Sequence, residues 1–194
     1  MRSMNQLSVT QLLFAIALCT QLAACVPVAV GGAAAGGAMV VDRRTSGIYI
    51  EDQGIELKAE KNIIEQIGGN IHANVTSYNL NVLITGEAID ETTKAKAEAI
   101  VKNIENVKSV TNELVIAGSS SLGSRSNDTY ITSKVKTNMV TENRFQANYV
   151  KVVTENSVVY LMGIVTHKEA DDAADIARSV DGVEKVVKVF EYLD

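Results

Sequence analysis

Cys25 is the residue whose sequence setting most clearly indicates a chemical reaction. It follows Leu22-Ala23-Ala24 and ends an apolar run that begins at Leu12. Arg2, this run and the small residues before the cysteine have the order of a secretory signal. The run is shorter than the ~20 apolar residues that a membrane-spanning helix needs. We therefore predict that residues 1–24 are a cleaved signal peptide and that Cys25 becomes the first residue of the mature chain.

The segment that ends at Cys25 resembles the lipobox of bacterial lipoproteins. This resemblance implies that the Cys25 thiol carries diacylglycerol and that the freed amine is acylated. Two or more acyl chains hold a protein stably at a membrane, whereas one chain binds only marginally. Val26 follows the cysteine, where the inner-membrane retention signal of enterobacterial lipoproteins has Asp. The resemblance thus implies a protein that is lipid-anchored at Cys25 in the outer membrane and faces the periplasm.

The sequence does not indicate any other chemistry. Cys19 leaves with the signal, so neither an internal disulfide nor a catalytic thiol is expected in the mature chain. His72 and His167 lie at non-equivalent places and lack the spacing of metal ligands. The chain has no Gly-x-Ser-x-Gly motif and no phosphate-binding glycine loop. We predict a protein that is not an enzyme, with no catalytic residue, no metal, no cofactor and no small-molecule substrate.

The charge of the chain also narrows the classes of partner. With Arg2 removed, 17 of the 18 basic residues remain against 23 acidic residues, which gives a net charge of −6. Nucleic acid is therefore not an expected partner. An acidic cluster has helical spacing, which predicts a solvated outer helix face rather than a cation site. Its members are Glu169, Asp171, Asp172 and Asp175.

The remainder of the mature chain contains an internal repeat. Residues 75–86 and 152–163 each read as two apolar strands that are joined by an Asn-centred turn and ended by glycine. An Ala-rich helix follows each glycine, with Asp90 as the first cap and Thr166 with Glu169 as a capping box in the second copy. Third strands are predicted at 110–116 and 186–192, and preceding helices at 55–67 and 129–142. Each copy is therefore α-β-β-α-β.

This repeat predicts an α+β protein with two tandem domains, each a three-stranded mixed sheet packed on two helices. The predicted segments after the signal are a Gly/Ala-rich tether at 25–47, a first domain at 48–117, a Ser/Gly linker at 118–125 and a second domain at 126–194. Domains of this size bury a modest fraction of their surface, so packing of one against the other would stabilise both. The apolar stretch Val26–Val41 leaves open a second role for the tether, which is association with lipid or with another chain.

The pattern V-x-V, turn, V-x-L-x-G, Ala-rich helix and G-V-x-x-V resembles the BON domain, the bacterial osmotically inducible and nodulation family. Its most diagnostic segment here is Asp181-Gly182-Val183-Glu184-Lys185-Val186. The lipobox, the two domains and Ser126-Asn127-Asp128-Thr129 together resemble the dual-BON outer-membrane lipoproteins. That resemblance implies binding to anionic phospholipid, concentration at division sites and support of envelope integrity. Leu80 and Ser157 stand where family hairpins usually carry glycine, so these turns depart from the pattern.

The first helix of the second domain has two different faces. At about 100° per residue, Ile131, Val135 and Met139 form a stripe that can pack on the sheet. The opposite side carries a tyrosine and a valine with hydroxyls between them and a lysine on each shoulder. Its residues are Tyr130, Ser133, Lys134, Lys136, Thr137 and Val140. With the family resemblance, this amphipathic pattern predicts an anionic phospholipid membrane as the partner.

Two alternatives are open from the sequence alone. Tyr130 and Val140 could pack against the first domain or the linker instead of lipid. The whole protein could also be an interaction scaffold for envelope proteins or regulators of peptidoglycan remodelling.

The helix of the first domain mixes positive and negative side chains over residues 55–61 and has no aromatic residue there. We therefore assign that helix a structural role.

Overall fold

The computed structural model describes residues 42–118 and 122–194, and within them it shows two similar domains. The first contains α1 (Ser46–Ile67), β1 (Ile71–Tyr78), β2 (Asn81–Ala88), α2 (Glu91–Lys102), β3 (Ser109–Asn112) and β4 (Val115–Ile116). The second contains α3 (Leu122–Glu142), β5 (Val150–Glu155), β6 (Val158–Val165), α4 (His167–Arg178) and β7 (Lys185–Tyr192). Cys25, the predicted signal peptide and most of the predicted tether lie outside the described residues.

Each domain has the predicted mixed sheet. Strand β2 pairs antiparallel with β1 and parallel with β3 and β4, while β6 pairs antiparallel with β5 and parallel with β7. The predicted strand 110–116 is split into β3 and β4 because Leu114 turns into the core, where it is buried. Asp90 caps α2, and Thr166 forms a capping box with Glu169 at the start of α4. The α+β architecture of two α-β-β-α-β units is therefore confirmed.

The first helix of each domain begins earlier than predicted. Helix α1 begins at Ser46 rather than at Ile55. Thr45 caps its N-terminus, where the Thr45 side chain accepts a hydrogen bond from the Ile48 N–H. Helix α3 begins at Leu122 rather than at residue 129. The last residues of the predicted tether and of the predicted linker are thus helical.

The two hairpin turns adopt the left-handed conformation that favours glycine, although neither contains one. Both residues of Asn79–Leu80 and both residues of Asn156–Ser157 have positive φ, as a two-residue type I′ turn requires. A buried carboxylate holds each turn. Asp52 accepts hydrogen bonds from both N–H groups of the first turn at 2.9 and 2.8 Å, and Asp128 does the same for the second. These contacts offset the cost of non-glycine residues at positive φ.

The glycine that ends each repeated segment allows close approach of two strands. A Cβ added at Gly86 would overlap the carbonyl oxygen of His72, and Gly86 also has a φ of 113°. A Cβ at Gly163 would overlap the carbonyl oxygen of Tyr149. The repeated glycines therefore have a packing reason that is independent of the turns.

The two domains pack through the inner faces of their sheets. The described residues belong to one compact unit, with each pair of helices on the outer face of its own sheet. Between the sheets lies a separate apolar cluster formed by Tyr78, Leu83, Tyr160 and Met162. Polar contacts border it, including Asn74 to Glu155 at 2.7 Å and Lys151 to Glu56 at 2.8 Å. Helices α1 and α3 therefore lie on opposite outer layers of the protein.

Candidate functional site

Helix α3 is seated on its sheet by the stripe that the sequence predicted. Ile131, Val135 and Met139 are at most 1% exposed and belong to the core of the second domain. Phe145 and Val150 complete the same cluster beyond the helix end. Since residues about 180° from this stripe point away from the sheet, the opposite face of α3 is turned to the outside.

All six residues predicted for this outer face are exposed. Tyr130 is 56% exposed and Val140 is 66% exposed. Neither side chain is buried against the first domain, so the alternative of interdomain packing is not supported for them. Instead, the interdomain contact uses the inner faces of the sheets. We call the surface formed by Tyr130, Ser133, Lys134, Lys136, Thr137 and Val140 the α3 face.

A ladder of hydroxyl groups runs along the α3 face. Thr129, Ser133, Thr137 and Thr141 each donate a hydrogen bond to the carbonyl oxygen four residues earlier, at 2.8 to 3.0 Å. Their donors are therefore satisfied within the helix. If this surface moved from water into a less polar medium, each of these hydroxyl donors would keep its acceptor. The main energetic cost of burying polar groups would therefore be avoided.

The charges of the α3 face are positive. Lys134 and Lys136 flank it, and the Lys134 Nζ lies 5.5 Å from the centre of the Tyr130 ring. No acidic residue occurs between Thr129 and Thr141 in the sequence. The one earlier carboxylate of the helix, on Asp128, is buried and holds the hairpin turn. The face can therefore attract anionic groups although the whole chain is acidic.

The acidic cluster of α4 lies near the surface and is paired with cations. The pairs are Asp171 with Lys188 at 2.6 Å, Asp172 with Lys168 at 2.6 Å, and Asp175 with Arg178 at 2.7 Å. The hydrogen bond from Lys188 lowers the pKa of the Asp171 carboxyl below its usual value. Within residues 42–118 and 122–194, no group of three or more His, Cys, Asp or Glu side chains is arranged to hold a metal ion.

The two histidines lie apart and in different surroundings. His167 stacks on Tyr192 with ring centroids 4.1 Å apart, and its Nδ1 lies 2.8 Å from an oxygen of Asp194. His72 lines a cleft of about 370 Å³ between β1, β5 and α3, together with Asn74 and Glu155. Among the described residues, neither histidine has a hydrogen bond to a serine or threonine hydroxyl of the kind that an acid–base–nucleophile arrangement uses.

Arg43, near the end of the predicted tether, is bound to the second domain. Its guanidinium forms two hydrogen bonds with Glu169, at 2.7 and 2.8 Å, and one with the Ile164 carbonyl. It also lies 3.7 Å from the centre of the Tyr149 ring. The hydrogen bond from Arg43 lowers the pKa of the Glu169 carboxyl. This planar, two-point contact is specific to arginine.

Arg44, the next residue, is bound to the first domain. Its side chain is largely buried and pairs with Asp42 and with Asp52, at 2.7 and 2.8 Å. Burial alone would lower the pKa of the Arg44 guanidinium, but hydrogen bonds to these two carboxylates raise it above its usual value. The two adjacent arginines thus fix the exit of the tether to both domains. Sequence reasoning missed this contact, and its one signal was a pair of arginines after a long uncharged segment.

Helix α1 also has an exposed apolar stripe, which sequence reasoning missed. Ile50, Leu57 and Ile64 are 70%, 69% and 68% exposed, and Tyr49 lies beside them. The interpretation of this helix as structural and without an aromatic residue rested on residues 55–61. Because the helix begins at Ser46, it includes an aromatic residue and a longer apolar surface. The signal was available, since Leu57 and Ile64 fall opposite the buried residues of the same helix.

No helix in the two described ranges combines the length and hydrophobicity that crossing a membrane requires. The chain does, however, match known proteins. Residues 52–118 and 127–194 match the family model described as the BON domain. Outer membrane lipoprotein DolP of Haemophilus influenzae is 40% identical over 176 residues, which cover 89% of this chain and 91% of that protein.

Two further relatives match over shorter lengths. The 21 kDa hemolysin of Actinobacillus pleuropneumoniae is 33% identical over 155 residues, covering 79% of this chain and 80% of that protein. Osmotically-inducible protein Y of Escherichia coli is 27% identical over 150 residues, covering 72% of each. None of the three names describes an enzyme. With both repeats matched by the family model and a 40% identical relative aligned along most of its length, the chain belongs to the BON family as a dual-BON outer-membrane lipoprotein.

Proposed function

We propose that this lipoprotein is held in the outer membrane by acylated Cys25 and that its α3 face binds anionic phospholipid. In this role it supports the integrity of the envelope without catalysing a reaction and without a cofactor. The observation that carries the proposal is the α3 face itself, where exposed Tyr130 and Val140 lie between two lysines with no acidic residue among them.

The expected strength of this contact is modest. A lysine near an anionic membrane surface contributes about 1 kcal/mol, so two contribute about 2 kcal/mol. Partial insertion of Tyr130 and Val140 adds an apolar contribution, and the satisfied hydroxyl ladder keeps the cost of desolvation low. An anchor at Cys25 would keep the protein beside the membrane, so a contact too weak to persist in solution would be well populated there.

The paired carboxylates of α4 support this assignment. Helix α4 lies on the same outer layer as α3, and unpaired acidic residues there would repel an anionic surface. Instead, each Asp of its acidic cluster has a lysine or arginine within 2.7 Å. The local field around the α3 face is therefore set mainly by Lys134 and Lys136.

Vesicle flotation tests the lipid contact separately from the anchor. The Cys25→Ser chain, which cannot be acylated at that position, should float with phosphatidylglycerol vesicles and much less with phosphatidylcholine vesicles. Adding Tyr130→Glu should abolish flotation while the circular dichroism spectrum stays native, because Tyr130 is exposed and not part of the core. Adding Leu57→Glu on the opposite layer is the matched control and should leave flotation unchanged.

Either of two results would contradict the proposal. Equal flotation with both lipids would show that the contact does not depend on anionic headgroups. Loss of flotation with Leu57→Glu but not with Tyr130→Glu would move the lipid contact to α1. Mass spectrometry of the mature, unsubstituted protein tests the anchor, which requires that Cys25 be the first residue and carry acyl chains.

A further inference from the structure

The exposed stripe of α1 has the periodicity of a helix–helix contact. Ile50, Leu57 and Ile64 are separated by seven residues, so they lie within about 40° of one another on the helix. They are opposite the residues that seat α1 on its sheet, which are Ile55, Ala59 and Ile63. Three large aliphatic side chains, each about 70% exposed and about 10 Å from the next along the helix axis, therefore form a ridge that nothing in the described residues covers.

The two sides of this ridge differ in a complementary way. Gln53 and Glu60 lie on one side, and neither has a hydrogen-bond or ion-pair partner among the described residues. Gly54 and Lys61 lie on the other side. A Cβ added at Gly54 would meet no atom within 4 Å, so the packing of this chain does not explain a glycine in the middle of a long helix. Such a glycine makes a helix less stable than alanine would, but it lets a second helix approach closely.

We propose that the ridge is an interface with a second copy of this chain, in which the two α1 helices pack side by side and run parallel. In a parallel pair related by a two-fold axis, the ridge of each helix packs on the ridge of the other. The side with Gln53 and Glu60 of one copy then lies next to the side with Gly54 and Lys61 of the other. Glu60 of one copy then faces Lys61 of the other, with only about 1.5 Å of axial offset. Gln53 faces Gly54 in the same manner, so the side chain of one copy fills the space left open by the other.

Charge distinguishes this arrangement from the other possible occupants. An antiparallel pair would place like sides together and lose both Glu60–Lys61 contacts, which is how flanking charges set orientation in coiled coils. Anionic lipid is disfavoured because α1 contains five acidic and two basic residues. A parallel pair also places both tether exits at the same end of the dimer, as two copies anchored in one leaflet require.

The interface depends on the anchor. A contact formed mainly by three aliphatic side chains per copy is smaller than the roughly 1,000 Å² that a stable interface between free proteins needs. Two copies held in one leaflet meet at a much higher effective concentration, so the same contact becomes populated. The inference therefore rests on the membrane anchoring in the proposed function, but not on lipid binding by α3.

Dimerisation and lipid binding have opposed geometries. Helices α1 and α3 lie on opposite outer layers, so a dimer joined through α1 turns its two α3 faces in opposite directions. Both faces cannot then lie flat on one membrane. At most one α3 face of such a dimer could therefore lie flat on the membrane.

Cysteine crosslinking in native membranes tests the pair and its direction. The acylated protein carrying Ile50→Cys or Ile64→Cys should each give a disulfide-linked dimer on mild oxidation, because a parallel pair brings each position next to its own copy. An antiparallel pair would place position 50 opposite position 64 and link neither variant. Lys58→Cys, exposed on the side of the helix, and the unsubstituted protein are the controls and should stay monomeric. No dimer at 50 and 64, or equal dimer at 58, would overturn the inference.

A charge exchange provides a second readout that loss of folding cannot imitate. In the Ile50→Cys background, Glu60→Lys should strongly reduce the dimer, and adding Lys61→Glu should restore it. Failure of the second change to restore crosslinking overturns the predicted contact. Each sample is also pelleted with the membranes. If the protein pellets with the membranes but does not crosslink, the dimer is wrong and the anchor stands. If the protein does not pellet, the anchor is contradicted, and so is the high effective concentration on which the dimer depends.

Discussion

Removing the two lysines of the α3 face should weaken lipid binding by a calculable amount. Lys134 and Lys136 are exposed, and neither forms an ion pair within the described residues. Lys134→Gln/Lys136→Gln therefore leaves no carboxylate without its partner, and the free energy of unfolding should change by less than about 0.5 kcal/mol. At about 1 kcal/mol for each lysine, the pair contributes about 2 kcal/mol to membrane binding. The partition coefficient should fall roughly thirtyfold, since about 1.4 kcal/mol corresponds to a factor of ten.

The assay is partition of the Cys25→Ser chain onto vesicles of graded phosphatidylglycerol content at low salt. Its matched control is Lys58→Gln/Lys108→Gln in the first domain, which changes the net charge equally, because both lysines are exposed and neither forms an ion pair within the described residues. The difference between the α3 variant and the parent should also shrink at high salt, because about 1 M salt screens charges beyond about 3 Å. Equal losses from the two double variants would show that net charge, rather than the α3 face, governs binding, and would contradict the proposed lipid contact.

Three further predictions concern the described fold. Asp128→Ala should lower the free energy of unfolding by about 2 to 4 kcal/mol in urea denaturation, because two N–H groups of a positive-φ turn lose their acceptor. Gly86→Ala should lower the free energy of unfolding by about 3 kcal/mol or more, because the added Cβ overlaps a backbone carbonyl. Gly118→Ala is the control: its Cβ meets open space, so the free energy of unfolding should change by less than about 0.5 kcal/mol in the same measurement. Arg43→Ala should lower the thermal midpoint at neutral pH. In the folded state the hydrogen bond from Arg43 holds the pKa of Glu169 below its usual 4.5. The stability contributed by the Arg43–Glu169 pair is therefore fully present above pH 4.5 and is lost as the pH falls through the lowered pKa. The thermal midpoints of Arg43→Ala and the unsubstituted protein should converge in acid. A constant difference down to about pH 2 would contradict that origin.

Local periodicity was sufficient to predict much of the architecture. The stripe of Ile131, Val135 and Met139 repeats at the helical period, so both the buried face of α3 and its exposed face followed from the sequence. The repeated pattern of two apolar strands around an Asn-centred turn identified both hairpins, and the capping residues identified two helix starts. These features depend on residues within a few positions of one another, which a single sequence displays directly.

Features that depend on distant residues could not be predicted in the same way. The contact of Arg43 with Glu169 joins residues 126 positions apart, and nothing in either neighbourhood specifies the other. The packing of the two sheets had a partial signal, because Val82-Leu83-Ile84 is a continuous apolar run, as expected for a strand that is buried on both faces. That run shows that something covers the inner face of the sheet, but not that the second domain does so.

The paired attachment of the tether has a mechanical consequence. In the proposed anchored state, a force on Cys25 would reach the two domains through Arg43, which pairs with Glu169 of the second domain, and Arg44, which pairs with Asp52 of the first. The force would thus be divided between the two domains instead of pulling one domain away from the other. Any pull on that anchor would therefore act on both domains at once.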